Sequence, residues 1–214
     1  MIRAYIIFTI LVFVCCNSNA QKLNYGLEAG YLYNRLSVNE YSSSGRNGFK
    51  IGGLIGLSLK DKITLESGAQ YVRKGGETYG SSLLGTPISK IKYSSMDYIQ
   101  IPIAIGYIFD FDRNFHLKPQ IGGYYAVGIG GDSFITGIDA YGQPYESRVS
   151  TFSSGYGKPY RPCNRNDAGF SFAIELSYQH VGLKFNYDMA LTNATYYGNG
   201  KHRTLSVSVF YWIK

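Results

Sequence analysis

A chain of 214 residues has room for one sizeable domain. Only 16% of its residues are charged, against ~25% in an ordinary soluble domain, which argues against a surface wetted on every side. The net charge of +7 is scattered rather than gathered in a stripe, which excludes a nucleic-acid footprint and leaves it as loop and rim charge.

The chain opens on "MIRAYIIFTILVFVCCNSNA". Arg3, an apolar run from Ala4 to Val14, and small residues at Ser18 and Ala20 fit a secretory signal peptide over residues 1–20, cut before Gln21. The run is too short for the ~20 residues that carry a helix across a bilayer. Cys15 and Cys16 raise lipidation, but Val14 is not the small residue that such processing prefers. In the remaining domain, 21–214, Cys163 is the single cysteine. It cannot build a disulfide framework and is expected as an unpaired loop thiol.

From there a period of two returns eight times, which is the signature of β-strands. The strands are expected near Leu23–Asn34, Asn47–Leu59, Ile63–Lys74, Tyr98–Phe109, Phe115–Gly130, Gly169–Gln179, Val181–Leu191 and Thr204–Ile213. Most approach the 9–11 residues or so of a tilted transmembrane strand. The connections alternate in length. Residues 60–62, 110–114 and the break at His180 are tight, whereas Arg35–Arg46, Gly75–Asp97, Gly131–Ala168 and Thr192–Arg203 are long. One trimmed end and one decorated end is the pattern of an eight-stranded antiparallel up-and-down transmembrane β-barrel, with short periplasmic turns and long extracellular loops.

The faces support it. One parity is oily, as in Ile99, Ile101, Ile103 and Ile105 of "DYIQIPIAIGYIF", or Phe170, Phe172, Ile174 and Leu176. The other is Gly, Ala, Ser and Gln with about one charge per strand: Glu28, Lys50, Glu66, Lys118, Glu175 and Lys184. That polar parity is too poor in charge to coat a soluble barrel, and suits the packed interior of a small one. The oily parity therefore faces lipid, and the six charges are expected as an interior ion-pair network. A soluble lipocalin-like ligand-binding barrel is the alternative. Pro102 lacks a ladder donor in a strand with no edge, so a bulge or a missed bond is expected there.

No enzyme chemistry, cofactor or metal site is expected. His116 and His180 fall by inner turns and His202 in an outer loop, so they do not converge on one ion. No Ser-His-Asp set shares one end. The long outer connection holds Tyr141, Tyr145, Arg148, Tyr156, Lys158, Tyr160, Arg161 and Arg165. Large aromatic contacts on an adaptable chain make these the candidate binding surface. Its cations suit acidic saccharides or lipopolysaccharide phosphates, and envelope proteins are the other expected partners.

Several stretches resemble the small outer-membrane β-barrel ("porin family", PorT-like) proteins of Bacteroidetes. "SGAQYVRKGG" is similar to a Gly-x-x-Tyr-x-x-Lys-Gly pattern through Gly68, Tyr71, Lys74 and Gly75. "YIQIPIAIGY" resembles a Tyr-x-x-Ile-Pro segment through Tyr98, Ile101 and Pro102, and "KPQIGGYY" resembles the fifth strand. "NDAGFSFAIEL" matches an Asp-x-Gly strand entry through Asp167 and Gly169, and "NYDMALTNA" is similar to the end of the seventh strand with Ala190 where Gly is usual. The resemblance implies an outer-membrane barrel, and some relatives assist protein secretion. Three roles follow as expectations for a monomer in outer-membrane lipid: a structural or interaction barrel, an accessory in secretion or envelope assembly, or a narrow channel.

Overall fold

The computed structural model describes residues 23–37, 43–60, 62–79, 82–83, 86–138, 141–152, 163–195 and 199–213. The expected signal peptide lies outside the described residues. The described chain forms strands β1 (Leu23–Ser37), β2 (Ser43–Lys60), β3 (Ile63–Tyr79), β4 (Ser82–Leu83), β5 (Thr86–Tyr107) and β6 (Phe109–Asp110). It continues as β7 (Phe115–Gly130), β8 (Asp132–Ile138), β9 (Pro144–Ser150), β10 (Asn166–Tyr178), β11 (Val181–Ala190) and β12 (Lys201–Ile213).

Eight of these close a ring in the order β1, β2, β3, β5, β7, β10, β11, β12 and back to β1, every pairing antiparallel. Closure removes the sheet edge that a bilayer could not satisfy with hydrogen bonds. The outer wall is the oily parity. Ile103 and Ile105 are each 54% exposed, while Gln100, on the opposite face of the same strand, is buried at 4%. Aromatic contacts mark both ends of the belt: Tyr107 with Phe109 and Phe111 with Phe115 at the short-turn end, and Phe49 with Tyr71 at the other. Such girdles are expected where a barrel meets lipid head groups. The soluble-barrel alternative is overturned by this apolar exterior.

The strands reach further outward than their alternation predicts. Much of the expected loop Gly75–Asp97 is the continuation of β3 and β5, which stay paired from Gly76↔Tyr93 to Tyr79↔Lys90. The expected loop Gly131–Ala168 contains the β8–β9 hairpin, and β8 continues the ladder on β5 above β7. Beyond the bilayer neither face must be oily, so the period-two signal fades. The backbone still needs its hydrogen bonds, and the ladder runs on. Gly131 joins β7 to β8 with a φ of 139°. A Cβ there would sit 2.1 Å from the Ser95 carbonyl oxygen, so the joint admits only glycine.

Pro102 produces a missed bond and no bulge. The β3–β5 register is the same at Ser67↔Ile103 and at Gln70↔Gln100, and the ladder passes over the residues between. The Ser67 hydroxyl donates to the Pro102 carbonyl at 2.8 Å and replaces part of what the strand loses.

Candidate functional site: a filled lumen and an outward sheet

The interior is built in layers. Lys118, Glu175 and Lys184 stand side by side on β7, β10 and β11, where Glu175 pairs in register with both lysines. Glu66 on β3 completes the set from across the lumen. It is bonded to Lys184 and lies 2.9 Å from Lys118, while Glu175 lies 2.5 Å from Lys118 and 2.9 Å from Lys184. Lys50 meets Glu28 at 2.5 Å. All six residues expected inside are therefore buried there, three carboxylates against three ammoniums. Amides complete the cluster: Gln70 donates to Glu28 at 2.8 Å, and Gln120 to Glu66 at 2.9 Å and Glu175 at 3.1 Å. Buried charge is tolerated when it is paired and hydrogen-bonded in this way. A cavity of about 20 Å³ lies among these groups, room for a single water.

Toward the outside a second layer has Lys74 and Asp167 at 2.9 Å, both side chains fully buried. The Lys74 ammonium sits 5.2 Å from the Tyr98 ring centre and 5.0 Å from that of Tyr124, in the range of cation–π attraction. The Tyr124 hydroxyl donates to Asp167 at 3.2 Å. His202 is not in an outer loop. It is a buried residue of β12 whose ring shares hydrogen bonds with Tyr98 at 3.2 Å and Asn34 at 3.1 Å. Lys74, Asp167 and His202 were missed as interior residues because the oily alternation stops short of them. Lys74 already shares the inward parity of Glu66 within the expected strand, and extending the inward parity of β12 by two residues reaches His202.

Above this layer Leu36, Met96, Phe152, Cys163 and Ala194 form an apolar lid. Phe152 meets Tyr98 edge to face at 5.3 Å. Cys163 is buried, and its thiol donates to the Met96 sulfur at 3.7 Å. It is unpaired and outside the named strands, as expected, but it is buried in the lid, and burial pushes its pKa well up. Protein carried without residues 1–20 has this cysteine alone. We expect it to resist maleimide while folded and to label fully after heat unfolding, because the thiolate is the nucleophile and burial disfavours it. Rapid labelling of the folded barrel would contradict the lid. At the inner end Phe210 and Trp212 meet edge to face at 6.2 Å, with the Lys118 ammonium 5.5 Å from the indole ring centre. A hollow of about 160 Å³ lies there, lined in part by Thr64, Glu66, Lys118 and Trp212.

The expected loop surface is divided. Tyr141 is 89% exposed at the β8–β9 turn. Arg148 on β9 is exposed and meets Asp132 of β8 at 2.6 Å. That hydrogen bond holds the Asp132 carboxyl below the usual carboxylate range. Tyr145 instead packs against the lid. Arg165 braces the lid through the Phe152 carbonyl at 3.4 Å. Tyr156, Lys158, Tyr160 and Arg161 lie outside the described residues. His116 lies at the inner rim, 2.6 Å from Asp110, and His180 packs beside Tyr211.

Comparison with known proteins gives one family match: the outer membrane protein beta-barrel domain family, over residues 19–196. No curated protein sequence matches the chain. Among solved structures it is similar to OprG from Pseudomonas aeruginosa, at 10% identity and a TM-score of 0.47, covering 89% of this chain and 95% of that one. It is also similar to Ail of Yersinia pestis in complex with the heparin analogue sucrose octasulfate, at 11% identity and a TM-score of 0.44, covering 90% and 99%. A third is Neisserial surface protein A, at 12% identity and a TM-score of 0.42, covering 87% and 96%.

Proposed function

Because the chain belongs to the outer membrane protein beta-barrel domain family, we propose that it is a non-enzymatic structural and interaction barrel. It would display the β5–β8–β9 sheet outside the cell and conduct nothing through its lumen. The carrying observation is the stack of lid, Lys74–Asp167 layer, charge cluster and Phe210–Trp212 along the lumen. Opening a path would strip several buried charges of their partners at once, which is costly. The outward sheet offers what the lumen does not: β9 is the last strand of its sheet, and Tyr141 projects from the turn before it. Export through a cleaved leader over residues 1–20 is part of this reading. So are the narrower PorT-like kinship and a role as accessory in secretion or envelope assembly, which would use the same surface.

The test has two readouts. Full-length protein in planar bilayers should show no conductance steps, and steady open-state steps would overturn the closed lumen. Residues Thr136–Glu146 would also be replaced by Asn-Gly, a two-residue hairpin turn that preserves the Ile135↔Ser147 pair. The barrel should still fold. Cross-linked partners recovered from native envelopes should be lost with the shortened hairpin. An unchanged cross-linking pattern would remove the hairpin from the proposed role.

A further inference from the structure

Three cations stand together on the outer wall, just beyond the apolar belt. On β1 and β12 the exposed pair Tyr33↔Leu205 ends the oily surface. Two residues further out on the same face Arg35 pairs directly with Arg203, and two further still Ser37 pairs with Lys201. The alternate residues there, Leu36 and His202, are fully buried, so the three cations must point away from the lumen. Like charges directly opposite one another on adjacent strands repel.

No carboxylate among the described residues compensates them. The Arg35 Nε donates to the Ser43 hydroxyl at 3.3 Å. One Arg203 nitrogen donates to the carbonyls of Ala190 at 2.9 Å and His202 at 3.3 Å. These bonds fix the guanidinium groups without neutralising them, and each keeps further N–H donors. Arg73, two strands from Arg35, shows the alternative. It lies over Phe49 and Tyr71 and is neutralised by Asp97 through two bonds of 2.7 and 3.1 Å.

We propose that Arg35, Arg203 and Lys201 form a binding site for the phosphate group of an outer-leaflet lipid. The site lies where the apolar wall gives way to polar strand, so a lipid seated there would lay its chains along Tyr33 and Leu205 and present its phosphate to the cations. Guanidinium matches phosphate through paired hydrogen bonds, and a negative head group relieves the Arg35–Arg203 repulsion. The site is separate from the outward sheet, and its failure would leave the reading of that sheet untouched.

The test uses the folded full chain in neutral detergent, with bound lipid read by native mass spectrometry. Dioleoyl phosphatidic acid should be retained over dioleoyl phosphatidylcholine, one molecule per barrel. R35Q/R203Q should lower that preference by at least about tenfold, from roughly the value of two interfacial cations. R148Q, a charge loss on the exposed sheet, should leave it unchanged. Inorganic phosphate at the same concentration should not displace the lipid. Absence of a preference in the wild-type barrel overturns the site without any variant. Equal retention by R35Q/R203Q, equal loss in R148Q, or displacement by free phosphate would each overturn it as well.

Discussion

Replacing Ile103 with arginine is expected to lower folding stability in a bilayer by about 2–4 kcal/mol, the cost of a guanidinium on the lipid face near mid-depth. Ile103 is more than half exposed on the outer wall, in register with Ser67 on one side and Gly123 on the other. Neither neighbour can offer it an anion. Gln100→Arg, on the other face of β5, is expected to cost less. Gln100 donates to Asp188 at 3.2 Å, and Asn186 donates to the same carboxylate at 2.8 Å. Arginine at 100 would meet a buried carboxylate held by amides and in no ion pair among the described residues, and that gain offsets part of the crowding. Urea titration of folding into vesicles, followed by the mobility shift between folded and boiled protein on gels, gives both values. A larger loss for Gln100→Arg than for Ile103→Arg would mean the two faces are exchanged.

The second large effect lies in the charge cluster. Lys184→Met should destabilise by about 3–5 kcal/mol, because it leaves a buried carboxylate without its partner. Glu66 and Glu175 both contact Lys184, so the single change leaves three carboxylates facing Lys50 and Lys118. Adding Glu66→Gln restores the balance and leaves Glu175 with Lys118 at 2.5 Å. The double variant is therefore expected to be more stable than Lys184→Met alone, although a second charged group and its remaining ion pair with Lys118 have been removed. Residues that share partners are coupled in this way. If the two losses simply add, the cluster does not act as a unit.

The barrel itself was legible because lipid imposes a severe rule on sequence. A strand that crosses a bilayer and closes on its neighbours must show an apolar side chain at every second position. The eight alternating runs therefore gave the strand count, the faces and the antiparallel order, and their charged inward positions named the six residues of the lumen cluster. The sequence by itself determined those features: the strands and their faces follow from the alternation of side chains along one strand, and the antiparallel order follows from connections that are short at one end and long at the other. It did not show the extension of β3 and β5 beyond the belt, the β8–β9 hairpin, or the burial of His202 and Cys163. In those segments neither face is required to be oily, so nothing in the alternation distinguishes a paired strand from a loop. Nor did it show which charges meet. Glu66 and Lys184 are 118 residues apart, and their contact depends on the ring closing at a particular register so that both reach the same height of the lumen. Only the tertiary structure decided the lid, the Lys74–Asp167 layer and the Arg35–Arg203 pair, because each rests on side chains from strands or segments brought together by closure, and closure is a property of the whole sheet.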